Sequence, residues 1–125
     1  MSLTFSEFSK ANRARCREMW HNEDDWSLAD WFMALAGELG ELGDALKKLR
    51  RLDDLGLPVA QDERDRVSQL RAHLTEQVGK ESADIVAYLD LLLHRARLDL
   101  GQVTATKFNE VSRRANSDIF LDVPE

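Results

Sequence analysis

The chain has 125 residues, with 17 Lys and Arg against 23 Asp and Glu, a formal charge of −6, 43% hydrophobic and 32% charged residues. That is the size of one domain, residues 1–125, able to bury its own core; its acidity excludes a general binder of nucleic-acid polymers, whose affinity comes from Lys and Arg on phosphate. A single cysteine, Cys16, excludes an intramolecular disulfide framework and fits a reducing cytosol.

Six glycines and two prolines among many Leu, Ala, Glu and Arg residues point to helices throughout. The opening MSLTFSEFSKANRARC has no apolar h-region, and no run approaches the roughly 18 apolar residues of a membrane span, so the expectation is a soluble, cytoplasmic protein with no membrane contact. A first helix starts near Thr4 or Ser6, either able to cap it, and runs to about Trp20. His21 to Trp26 reads as a polar connection.

The second helix is the clearest element. Ser27 with Asp30 three residues on approximates a capping box. Leu28, Trp31, Phe32, Leu35, Leu39, Leu42, Leu46 and Leu49 follow at helical steps, and the helix should stop around Arg51 to Asp54, ahead of Gly56 and Pro58. From Gln61 the pattern resumes through Val67, Leu70, Leu74, Val78, Ile85, Leu89 and Leu92. One continuous helix to about Leu98 is expected rather than a break at Gly79. A last helix spans about Gln102 to Ala115, and SDIFLDVPE reads as an extended tail.

Two short words carry chemistry: GELGE, residues 37–41, and KESAD, residues 80–84. In each, two acids stand three residues apart, so on a helix they lie roughly 60° apart and one turn apart. With Leu46 as the centre of the apolar stripe on helix two, Glu38 and Glu41 fall on its flank, roughly 80–140° away; with Ile85 as the centre on helix three, Glu81 lies about 40° and Asp84 about 100° away. Neither pair sits opposite the core, where solvated charges usually go. If the helices lie side by side, four carboxylates meet at the core border, and a hard divalent cation would relieve their repulsion. Mg²⁺ suits such a site, because it is commonly shared between carboxylates and substrate phosphates.

LAGELGELGDALKKL and ESADIVAYLDLL resemble the two halves of the signature of the MazG-like, all-α nucleoside triphosphate pyrophosphohydrolases, and TKFNEVSRRANSDIFL resembles the segment that follows them. The likeness covers roughly residues 13 to 121. It implies a four-helix-bundle-like fold whose core is completed by oligomerisation, as a homodimer or homotetramer. It also implies Mg²⁺-dependent hydrolysis of (deoxy)nucleoside triphosphates between the α and β phosphates, with Mn²⁺ as a possible substitute. The metal ligands implied are Glu38, Glu41, Glu81 and Asp84, with Glu38 or Glu41 orienting or deprotonating water. The substrate contacts implied are Trp20 and Tyr88 near the base, and Lys107, Asn109, Arg113 and Arg114 at the phosphates and sugar.

Two departures stand out. The stretch around Asp53 to Arg71 is longer than in compact relatives, and Lys48 occupies a position where some pyrimidine-specific relatives carry a base-contacting Trp, a role that Trp26 or Trp31 could take instead. His21, His73 and His94 show no ligand spacing, and the E-x-x-H pattern of di-iron bundles is missing. The competing expectation is a helical-bundle module that assembles, or binds nucleotide, without turnover.

Overall fold

A computed structural model describes residues 1–56 and 58–125. They form α1 (Phe5–Met19), a 3-10 turn (Glu23–Asp25), α2 (Leu28–Leu55), α3 (Gln61–Arg95) and α4 (Leu100–Arg114), with no strand among the described residues. None of these helices is long and apolar enough to cross a membrane. The chain divides into two compact units, Met1–Phe32 with Ala87–Glu125, and Met33–Val86.

Local chemistry explains where the helices begin and end. Thr4 opens α1 through a reciprocal capping box: the Glu7 amide donates to Thr4 Oγ1 at 3.2 Å, and the Thr4 amide donates to Glu7 Oε2 at 2.9 Å. Ser27 and Asp30 repeat that box at α2, at 3.1 and 2.9 Å. Asp99 caps α4 by accepting from the Gln102 amide at 2.8 Å. α2 runs one residue beyond the expected end and stops where Gly56 takes a φ of 70°, a conformation that costs glycine nothing. α3 is continuous through Gly79, as expected, because its neighbours are good helix formers and the glycine is on an exposed face.

In the first unit the core is Cys16, Trp31 and Leu91, with Trp26, Tyr88 and Leu92 packed against it. Trp31 is 2% exposed, and its indole N–H donates to the Glu23 carbonyl at 2.8 Å, so ring and polar handle are both satisfied. The expected connection His21–Trp26 is therefore anchored to the core through Glu23, while Asn22, Asp24 and Asp25 stay exposed. Glu23 is 2% exposed; its carboxylate takes the Arg17 guanidinium and, at 2.9 Å, His94 Nε2. The Arg17 hydrogen bonds hold the Glu23 carboxyl down at about 2, below the carboxylate range, despite its burial.

In the second unit the segments of α2 and α3 run antiparallel. Arg71 meets Asp53 at 2.8 Å, and Glu38 and Glu41 meet Glu81 further along. The stretch from Asp53 to Arg71 is thus the tip of a helical hairpin, closed by an ion pair between its two end residues. The stripe on α2 departs from expectation. Leu46 is 48% exposed, and the seam is made by buried Ala45 and Leu52 with half-buried Leu35, Leu42 and Leu49. α2 carries two apolar stripes, and only packing against α3 selects between them. Glu38 stands seven residues before Ala45, about 20° from it around the helix. It lies in the seam, not on its flank. Glu81 stands seven residues after buried Leu74 and is in the facing seam.

Candidate metal centre

Two charged residues in a helix-helix seam are costly unless something meets them. α2 supplies Glu38 and Glu41 from adjacent turns, and α3 supplies Glu81. One carboxylate oxygen from each lies within 4.8 Å of the others. Glu38 Oε2 and Glu81 Oε2 are buried, and no donor among the described residues reaches either. Asp84, the fourth expected ligand, is exposed and stands outside that group, although its charge still acts on the site.

The electrostatics follow from this crowding. A hydrogen bond to Glu81, then loss of water, then the charges of Glu41, Asp84 and Glu81 raise the Glu38 carboxyl to about 7. Glu41 is raised as well, first by its hydrogen bond and repulsion with Glu81. Glu38 and Glu41 thus both hold their protons above the usual carboxylate range, as crowded acids without a counter-charge do. The donor set is entirely carboxylate oxygen, with no His or Cys, and so fits a hard divalent cation, Mg²⁺ or Mn²⁺, rather than a soft one.

A cleft of about 550 Å³ opens beside the acids. Gly37, Gly40, Glu41, Asp44, Ala45 and Lys48 line it from α2, and His73, Leu74, Gln77 and Glu81 from α3. A methyl group built on Gly37 or Gly40 would meet nothing within 4 Å, so the helix backbone is bare to the cleft there.

The remaining expected site residues lie in the other unit. Trp20 is 68% exposed at the end of α1, with the Arg15 guanidinium 5.9 Å from its ring centre. Tyr88 packs in the core, its ring 6.2 Å from that of Trp31. Trp26 and Trp31 pack against each other in that core with ring centres 4.6 Å apart and planes tilted by 52°, which accounts for both rings structurally. Lys107 pairs with Glu110 at 2.6 Å on the surface of α4, and Arg114 lies 3.9 Å from the same carboxylate. Arg113 sits over Phe120 at 5.7 Å. Asn109 is buried, and both ends of its amide engage the Leu121 backbone at 2.8 Å, pinning the C-terminal tail to α4.

Asp44, His73 and Gln77 were not among the expected site residues, and Lys48 figured only as a departure from the family pattern. A signal for the first helix existed: Glu41, Asp44 and Lys48 follow one another at three- and four-residue steps and share a face. Nothing in the sequence sets His73 opposite them, because that depends on the register of the hairpin. Comparison with protein-family models, curated proteins and solved structures finds no match to this chain.

Proposed function

We propose that the chain is a Mg²⁺-dependent hydrolase, Mn²⁺ substituting, that cuts (deoxy)nucleoside triphosphates between the α and β phosphates to give a monophosphate and pyrophosphate. The observation that carries this reading is the convergence of Glu38, Glu41 and Glu81 with two buried carboxylate oxygens that no donor among the described residues meets. A solvated acidic face would expose those oxygens; a cation site buries them. The resemblance of GELGE, KESAD and the α4 segment to the MazG-like signature supplies the reaction and the bond cleaved.

Glu38, Glu41 and Glu81 would hold the cation, with Asp84 adding charge from the edge. When bound, the cation would neutralise the carboxylates and polarise phosphoryl oxygens. Glu41 and Glu81 line the cleft, so their outer oxygens face the space a triphosphate would enter. Glu41, the more exposed of the two, is suited to orient or deprotonate a water there. The further contacts that the resemblance implies, Trp20, Tyr88, Lys107, Asn109, Arg113 and Arg114, all lie in the other unit and carry no part of this reading; Tyr88 is packed in its core and Asn109 is held by Leu121.

The test is product identity. With Mg²⁺ and a deoxynucleoside triphosphate, chromatography should show monophosphate and pyrophosphate, lost on chelation and reduced at least a hundredfold in Glu81→Gln, with helix content retained. Diphosphate with orthophosphate would place the cut at the γ phosphate and end the family reading. No product with any nucleotide would leave a non-catalytic helical module.

A further inference from the structure

The cleft beside the acids is longer than a cation requires. From Glu41 to Lys48 is seven residues of α2, and from Glu81 back to His73 is eight residues of α3, so the lining runs about 10–12 Å beyond the carboxylates. Gly37 and Gly40 leave the way along α2 open. At the far end Lys48 Nζ donates to Asp44 Oδ2 at 2.8 Å, and His73 and Gln77 face them from α3. Asp44 cancels the charge of Lys48, so this end does not suit a second phosphate, which Asp44 would repel. It presents a lone cationic donor beside a lone anionic acceptor, with an imidazole as the only ring in the lining.

We propose that Asp44 and Lys48 form the reader of a nucleobase edge, selecting bases that show a carbonyl beside a ring N–H (guanine, uracil, thymine) over those that show an amino group beside a bare ring nitrogen (adenine, cytosine). This rests on the nucleotide reading of the carboxylate site. An ammonium can only donate and a carboxylate can only accept, so the pair matches one acceptor next to one donor. Either kind of edge can be met in that way. Charge-assisted bonds strengthen most on the better partner, however: the ammonium on a carbonyl oxygen and the carboxylate on the acidic ring N–H. Opening the Asp44–Lys48 pair costs little, because both side chains are more than half exposed. The His73 ring supplies a face against which the base can lie.

The experiment measures pyrophosphate release from dGTP, dUTP, dTTP, dATP and dCTP with Mg²⁺, for wild type, Lys48→Met, Asp44→Asn and Lys48→Arg, and calorimetric binding of the same Mg²⁺-nucleotides. The wild type should favour the carbonyl-bearing set by roughly tenfold in kcat/KM. Lys48→Met and Asp44→Asn should remove most of that ratio through KM, and Lys48→Arg should keep it. Pyrophosphate released with all five nucleotides within about threefold of one another, or a ratio unmoved in both variants, overturns the base reader and leaves the hydrolase standing. Selective binding that Lys48→Met abolishes, without any pyrophosphate, overturns the hydrolase and leaves the reader. Neither binding nor turnover overturns both.

Discussion

At Glu38 a hydrogen bond, burial and three neighbouring charges all push the same way, and the consequence is a measurable slope of stability against pH. Below the ordinary value of 4.5 the residue is protonated in the folded and unfolded chain alike, so nothing is lost. Between 4.5 and about 7 the unfolded chain gives up a proton that the folded chain keeps, so stability falls as pH rises, and above about 7 the loss is complete. In the presence of a chelator, calorimetry should show the wild-type Tm falling more between pH 5 and pH 8 than that of Glu38→Gln. Added Mg²⁺ should raise the wild-type Tm at pH 8 by binding only the folded state, and should act more weakly on the variant. Parallel pH profiles for the two proteins would mean that Glu38 is not held in a crowded acidic site. Glu23 shows the opposite sign: held at about 2 by Arg17, it stabilises above 4.5 and loses that contribution as pH falls toward 2.

α2 contains three glycines inside a helix, Gly37, Gly40 and Gly43, each costing roughly 1 kcal/mol relative to alanine. None of the three is required by sterics, since a methyl group at any of them meets nothing within 4 Å. Position separates them. Gly37 and Gly40 line the cleft, and Gly43 does not. Each Gly→Ala variant should therefore gain stability, up to about 1 kcal/mol by urea unfolding. Gly37→Ala and Gly40→Ala should in addition raise KM for the nucleotide several-fold, as their methyl groups project into the path of the ligand, while Gly43→Ala should not. Equal kinetics in all three would show that the ligand does not approach α2 along this face.

The stripe that α2 does not bury against α3 is a property of the whole molecule. Leu39 is 50% exposed and Leu46 48%, with Phe32 and Leu28 also exposed earlier on the same helix. An apolar stripe of this length on a helix asks for a partner surface. The expected outcome is a homodimer or homotetramer by light scattering after size exclusion, and Leu39→Glu or Leu46→Glu should shift it to a smaller species. A monomer at all concentrations would leave the stripe without a role in assembly.

Helix content, the caps at Thr4 and Ser27 and the meeting of Glu38 with Glu41 were legible in the sequence, because they depend on residues within four positions of one another. Thr4, Ser27 and the breaker at Gly56 need only their own turn of chain to act. GELGE placed Glu38 and Glu41 together, as i and i+3 on a helix allow, whereas KESAD brought only Glu81 into the group and left Asp84 exposed outside it. What the sequence left open were matters of register and choice between equals. α2 carries leucines on two faces, and the approach of α3 decided that Ala45 rather than Leu46 faces inward. That difference of one residue, about 100° of helix, moved Glu38 from the flank into the seam and stripped its carboxylate of water. The same register set His73 and Gln77 opposite Asp44 and Lys48, and the return of the C-terminal tail along α4 set Asn109 against Leu121, contacts that no local spacing encodes.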